Sequence, residues 1–460
     1  MSNKTKTKNK LYNQNIKNKS GGEVIAAGGF GCVFKPALAC NNGKRKSNGV
    51  SKLMTLKHAN DEYDEITQIK SKLMKIPNYS KYFLIDNIDN LCIPDKLTSS
   101  DLANFKEKCS ALQKSKYTTQ NINDSLNELR VLSMPDGGIT VKEYIYKIVD
   151  LTQIQELNIS LLELLTKGII PMNDRSIYHS DIKDSNILID EKGLYPRLID
   201  WGLTTEYPEK GTSTKDQFSW PAKWNNKSLQ FNLPFSVILF SGEFIAHYNQ
   251  YIDEYGMPRK ADIANLHSFV ANYLFDWMED GRGIGHISLI NSIVEILYEL
   301  NPDKEKTVYI EKGAQNKHVL EIYEKTIEVI TIYISEILMK YTSSDPHYDS
   351  ISIDKYLNDV FIHNLDKWGF ITTYLPFLKM PPKDNLDKYN HQQVFYIIKD
   401  LFLFLYTTSD RAIREDEIKA RLSDLNRLQP LLEGGNKKYI RNTYKHSFKL
   451  SSRKKTRKRK

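Results

Sequence analysis

Three short stretches of this chain gather residue types that could do chemistry. The first is Ala26-Ala27-Gly28-Gly29-Phe30-Gly31-Cys32-Val33. Glycines let a backbone approach phosphates closely, and successive N–H groups can cradle an anion. The same cluster also serves as an ordinary turn. The second is His179-Ser180-Asp181-Ile182-Lys183-Asp184-Ser185-Asn186, flanked by apolar Ile177 and Ile187. It sets two acids, a lysine and an asparagine in one polar patch, which could equally be a solvated loop with an Asx turn. The third is Leu198-Ile199-Asp200-Trp201-Gly202-Leu203. An Asp directly after a short apolar strand can terminate that strand or aim its carboxylate at a metal. Between the first and second stretches lie a strand-like segment bearing Lys52 and a helical segment bearing Glu62. All of these in one order are very improbable by chance.

The elements that must position them can be read from periodicity. Val24–Pro36 suggests a hairpin and Asn41–Gly49 a polar turn. Val50–Thr55 reads as a short strand. His58–Lys75 reads as a helix with Glu62, Ile66, Ile69 and Leu73 on one face, closed by Pro77. Residues 80–128 are mixed and read as an insertion. Leu129–Met134 is strand-like, and Pro135-Asp136-Gly137-Gly138 marks a boundary. Beyond it, Ile154–Leu165 is an apolar helix, and short strands at Ile187–Ile189 and Leu198–Ile199 flank a turn at Gly193. From about residue 260 nearly everything has helical spacing, in segments 284–300, 318–341, 391–406 and 411–428. Segment 318–341 is apolar almost all round and predicts a buried helix. Gly434-Gly435 is expected to end the last helix. No internal repeat is found. The expected class is α+β: a small β-rich part with one key helix, a hinge, and a larger mainly helical part.

Composition sets the bounds. The chain has 460 residues, 40% hydrophobic and 26% charged. That is close to globular averages and excludes a wholly disordered chain, a collagen and a membrane-embedded bundle. The start has no apolar core of a secretory signal. The net charge is +9, but residues 1–20 carry +6 and residues 434–460 carry +12, which leaves −9 on residues 21–433. Both ends therefore read as disordered basic arms. The last one, with Tyr439, Tyr444 and Phe448 among its cations, reads as a nonspecific nucleic-acid or nuclear-import arm. Cys32, Cys40, Cys92 and Cys109 form no CxxC pair and read as reduced thiols of an intracellular protein.

With these residues in place, the sequence resembles the protein kinase family over roughly residues 22–300, most closely from 175 to 203. The pattern H-R-D-L-x-x-x-N is met by His179, Asp181 and Asn186, with Ser180 in place of Arg. D-F-G is met as Asp200-Trp201-Gly202, similar to casein kinase 2 relatives. G-x-G-x-x-G-x-V is met at Gly28, Gly31 and Val33, with Ala26 where the first Gly belongs. The resemblance implies a bilobal fold. A small β-rich lobe would span 21–138 with its insertion, and a large mainly helical lobe with a helical extension would span 139–433.

The resemblance also implies roles. The loop Ala26, Gly28, Gly29, Phe30, Gly31 and Val33 would cover the phosphates of ATP. Lys52 would hold the α/β-phosphates and pair with Glu62, with Glu65 as the alternative partner. Asp181 would accept the substrate hydroxyl proton and Lys183 would steady the γ-phosphate, a pattern of Ser/Thr kinases. Asn186 and Asp200 would hold Mg²⁺. Met134–Asp136 would read adenine from the hinge. The partner implied is a protein substrate, with no membrane. Ser180 makes switching by an activation-segment phosphate doubtful, although Thr204, Thr205, Thr212, Ser213 and Thr214 offer hydroxyls there. No Ala-Pro-Glu is present; Asn232-Leu233-Pro234 comes nearest. The Lys/Asn/Ile/Tyr-rich composition, "HSDIK" and Phe231–Phe235 look like kinase-like proteins of large nucleocytoplasmic DNA viruses. That would place the chain in the cytoplasm or nucleus of a host cell, or packaged in a virion. Two alternatives stay open: a pseudokinase or scaffold, and a kinase-fold enzyme acting on a small molecule.

Overall fold

The computed structural model describes residues 22–430 except 42, 44–48, 87, 89–90, 191–192, 208–219, 280–282, 312–318 and 345–348. Both basic ends, Gly434-Gly435, and Thr212, Ser213 and Thr214 lie outside the described residues. Strands β1 (Glu23–Ala27) and β2 (Gly31–Lys35) form the expected hairpin, closed by Gly28 N donating to Gly31 O at 2.9 Å. Strands β3 (Gly49–Thr55) and β4 (Leu129–Pro135) complete an antiparallel sheet in the order β1-β2-β3-β4.

Strand β3 is buried from Gly49 through Met54, polar residues included, so both faces of the sheet are covered. The period of two divides its side chains. Met54 packs with Leu132 against helix α1 (Leu56–Leu73), which follows β3 directly. Leu53 packs on the other face with Val24, Phe34 and Val131. Helix α1 buries Ala59, Glu62, Ile66, Ile69 and Leu73, the face expected from spacing.

The segment read as an insertion covers that second face. Its short helices α2 (Phe105–Lys108) and α3 (Ser110–Lys114) bring Phe105 and Leu112 onto Val24, Phe34 and Leu53. The expectation of reduced thiols is overturned here. Cys32 is joined to Cys109, and Cys40 to Cys92, with Cα–Cα distances of 5.4 and 5.7 Å. The partners are 77 and 52 residues apart, so no local motif could reveal them. Packing of the insertion on the sheet sets the pairs. Disulfides persist in oxidising surroundings, so the thiol argument for an intracellular site falls.

Beyond Gly138, strand β5 (Ile139–Thr140) pairs with β7 (Ile187–Asp190), and β7 with β8 (Tyr195–Leu198). Strand β6 (Ile177–Tyr178) pairs with β9 (Thr205–Glu206). Helix α4 (Val141–Lys147) starts at a capping box of Thr140 and Glu143. Helix α5 (Leu151–Leu164) continues through a π-turn at Leu165–Ile169. The two parts are stitched together by Leu84 N to Leu198 O at 3.0 Å and Leu198 N to Tyr82 O at 2.9 Å.

The remainder is mainly helical: α6 (Gly242–Tyr255), α7 (Ile263–Glu279), α8 (Ile284–Tyr298), α9 (Glu324–Tyr341), α10 (Ile362–Thr372), α11 (Lys388–Thr407) and α12 (Glu415–Arg427). Helix α9 is buried over most of its surface, as its apolar composition predicts, but one stripe at every fourth residue, Glu324, Glu328, Ile332, Glu336 and Lys340, is exposed. Helix α12 docks on α5 through Asn158 Nδ2, which donates to Leu422 O at 2.9 Å.

Two expectations fail in this region. Strands β10 (Thr307–Glu311) and β11 (Val319–Tyr323) pair antiparallel, and β12 (Thr342–Ser344) pairs with β13 (Asp349–Ile351). The segment read as a helix from 318 therefore begins only at Glu324. β-Branched and aromatic residues facing one another across the ladder, such as Thr307 with Tyr323 and Val308 with Ile322, outweigh a helical period that fits both forms. The last helix stops at Arg427, shortly before Pro430, which disfavours helix in the residue before it. The architecture is mixed α+β, and among the described residues no helix is long and apolar enough to cross a membrane.

Candidate active site

Lys52 and Glu62 come from adjoining elements, one on β3 and one two turns into α1. Lys52 Nζ lies 2.6 Å from Glu62 Oε2 and 3.4 Å from Asp200 Oδ1. Burial alone would discharge the lysine, but Asp200 and Glu62 overcome it and raise its pKa above the ordinary value. Burial pushes the Glu62 carboxyl up, with Lys52 opposing. The hairpin tip sits over the lysine: a Cβ at Gly28 would be 3.6 Å from Lys52 Cε. Ala26 and Val33 face each other across the hairpin. Phe30 is exposed and stacks on His58 of α1 with ring centroids 4.6 Å apart.

The loop after β6 is held from below. Ser180 takes a left-handed backbone, φ 61°. His179 N and Ser180 N donate to the Asp366 carboxylate at 2.8 and 2.9 Å, and Asn173 Nδ2 donates to it at 2.7 Å. Gly369, one turn along α10, lets that helix touch the loop; a Cβ there would be 2.7 Å from Ile182 O. Asp181 accepts from Lys183 Nζ at 2.8 Å, Asn186 Nδ2 at 2.8 Å and Asn232 Nδ2 at 2.9 Å.

Asp200 is tied to this loop through its neighbour. Ile199 N donates to Asn186 O at 3.0 Å, and Ile199 O lies 3.0 Å from His179 Nε2. Asp200 itself is left-handed, φ 65°, a conformation costly for a residue with a side chain, which turns its carboxylate toward Lys52. Burial would raise its pKa, but Lys52, His179 and Lys183 hold it below the usual carboxylate range. Trp201 is buried between Phe83 and His179, with ring centroids at 5.7 and 5.0 Å.

The connection at 136–138 is tightly determined. Asp136 pairs with Lys35 at 2.5 Å and accepts from Gly138 N at 3.1 Å, while Met134 lies opposite Val50. Gly138 has φ 97°, and a Cβ there would strike Ile189 O at 2.0 Å. Both constraints require glycine.

Asn186 turns its amide nitrogen to Asp181, which leaves its carbonyl oxygen as an acceptor. Asp200 engages Lys52 through Oδ1 and keeps a second oxygen. One amide oxygen and one carboxylate oxygen suit a hard cation that shares the rest of its shell with water and phosphate. No group of three or more His, Cys, Asp or Glu side chains gathers as a metal site among the described residues.

Three residues of this site escaped the sequence reading. Asp366 lies far downstream; its only local signal is an acid between Ile362 and Phe370 on the inward face of an apolar helix. Asn232 lies in the stretch compared with Ala-Pro-Glu, but nothing local tied it to Asp181. Lys227 donates to Ser180 O at 3.4 Å, and burial pushes its ammonium down to about 8.

The sequence matches no family profile. It is similar to a probable serine/threonine-protein kinase, fnkB, of Dictyostelium discoideum. The two are 22% identical over 169 residues, 34% of this chain and 30% of that protein. The match thus spans under a third of the relative's length. It supports a likeness to kinases and does not bear on the viral resemblance.

Proposed function

We propose that this chain is a two-lobed, kinase-like phosphotransferase that moves the γ-phosphate of Mg-ATP to Ser or Thr hydroxyls of proteins. The lobes would be residues 21–138 and 139–433, with the nucleotide between them. The observation that carries the reading is the convergence of two groups: Lys52–Glu62–Asp200, and Asp181 with Lys183 and Asn186. Phosphoryl transfer asks mostly for positioning and charge neutralisation, and these groups supply both.

Lys52, kept charged by its two carboxylates, would bind the α/β-phosphates beneath the glycine hairpin. Mg²⁺ at Asn186 and Asp200 would neutralise charge on the phosphate oxygens. Lys183 would leave Asp181 for the γ-phosphate. Asp181 would then take the proton of the acceptor hydroxyl as its oxygen bonds to phosphorus and the bond to the ADP oxygen breaks. Lys183, two residues after Asp181, favours Ser/Thr acceptors by family pattern.

The test is transfer of labelled γ-phosphate from Mg-ATP to a generic protein, beside Asp181→Asn and Asp200→Ala. Loss of label in both, with Mg-dependent thermal stabilisation by ATP kept in Asp181→Asn, is expected. Stabilisation without transfer by the wild type would favour a pseudokinase. Label on sugars or aminoglycosides but not on protein would favour a small-molecule kinase. The basic tail is proposed to add nonspecific nucleic-acid binding. A chain ending at Glu433 should then bind DNA more weakly than the full chain at about 50 mM salt.

A further inference from the structure

Glu62 meets Lys52 only while α1 stays against the sheet, and two other side chains of α1 are held from outside. Glu65, one turn beyond Glu62, accepts from Lys223 Nζ at 2.6 Å, and the same ammonium donates to Thr204 O at 2.9 Å. Lys72, two turns further along, pairs with Glu206. Lys223, Thr204 and Glu206 all belong to the segment that follows Trp201. The polarity of the two pairs is opposite: a helix anion meets a segment cation, then a helix cation meets a segment anion. A helix that slid by a turn or swung away would lose both pairs, so together they fix its position along its axis.

The segment is fastened on its other side to the Asp181 loop. Trp224 Nε1 donates to Ser180 Oγ at 3.3 Å, Lys227 Nζ to Ser180 O at 3.4 Å, and Asn232 Nδ2 to Asp181 Oδ1 at 2.9 Å. These contacts are made between ammonium, carboxylate, amide, indole, hydroxyl and backbone carbonyl groups, so none of them requires a phosphate. We propose that Lys223 is a positioning residue: its pair with Glu65 sets α1 so that Glu62 holds Lys52 while the segment is unphosphorylated. The proposal rests on the phosphotransfer reading for its rate measurement, while the placement of α1 is measured separately.

The test uses the full chain with Lys223→Glu, Glu65→Lys, the exchanged pair carrying both, and Lys223→Met. Backbone hydrogen exchange is followed across residues 59–70, and initial rates at varied Mg-ATP after phosphatase treatment. Each reversal should speed exchange in α1 and lower kcat/KM for Mg-ATP about tenfold, since repulsion replaces a partly exposed attraction. Lys223→Met, which only removes the charge, should cost about threefold. The exchanged pair should recover most of both readouts, which a merely damaged fold would not. Single reversals with wild-type exchange and rates would overturn the proposal. So would an exchanged pair no better than either single, or a lag in wild-type activity after phosphatase treatment. If the wild type transfers no phosphate but α1 responds to the reversals and recovers on exchange, the phosphotransfer reading fails and the role of Lys223 in placing α1 stands.

Discussion

The Asp181 loop and the glycine hairpin are linked through the Lys52–Asp200 pair but are built in opposite ways. In the loop, His179, Ser180, Asp181 and Asn186 are all buried, and three donors surround one carboxylate. Its backbone is anchored from α10 by Asp366. In the hairpin, one hydrogen bond closes the tip, Gly29 has open space around it, and Phe30 is 47% exposed. The difference follows the work proposed for each. A base and metal ligands need sub-ångström placement, which only redundant contacts supply. A cover over phosphates must admit and release them, and so stays lightly held.

The strongest way to break this contrast is to change the loop's own chemistry. Asp181→Asn should lower kcat by about 10²–10⁴ while leaving ATP binding intact, as read by labelled transfer beside a thermal-shift titration. Next comes the loop's anchor. Asp366→Ala strands two backbone N–H groups and the Asn173 amide, and urea unfolding should show a loss of about 3 kcal/mol. A loss near zero would mean that the loop does not depend on α10.

On the hairpin side, the root is firmer than the tip. Cys32 on β2 is bonded to Cys109, and breaking that link by Cys32→Ala/Cys109→Ala should cost about 2–4 kcal/mol in the same assay. At the root, where Gly31 opens β2, Gly31→Ala puts a Cβ 2.6 Å from Leu53 O and should cost about 1–3 kcal/mol. Gly29→Ala, with nothing within 4 Å, should stay within about 0.5 kcal/mol. Equal effects at the two glycines would remove the distinction between root and tip.

The smallest expected effect is on pH dependence. Asp200 is held below the usual carboxylate range, so its contribution to stability is present above its unfolded pKa and is lost as pH falls through the lower folded one. Mg-dependent ATP stabilisation should therefore persist into acid. In Lys52→Met the burial that raises Asp200 would go unopposed by its main partner, and the loss of stabilisation by Mg-ATP should move to higher pH.

Much of the local structure was legible because it rests on short-range physics. The hairpin at Gly28–Gly31, strand β3 with Lys52, and α1 with Glu62, Ile66, Ile69 and Leu73 on one face all follow from turn chemistry and periodicity. The two candidate partners for Lys52 were also visible three residues apart, and the structure separates them: Glu62 meets Lys52, and Glu65 meets Lys223. The strand pairs β10–β11 and β12–β13 were hidden because β-branched, aromatic and apolar residues at short range fit a helix or a strand equally well.

The sequence by itself determined which residues could bear charge, turn the chain or fill an apolar face, and in what order. Only the tertiary structure decided which distant groups would meet: Asp366 beneath His179 and Ser180, Asn232 on Asp181, Lys223 on Glu65, and Cys32 with Cys109. Each of these joins residues tens to hundreds of positions apart. Such a contact leaves no periodicity in the chain, because it is set by how buried faces pack once the elements exist.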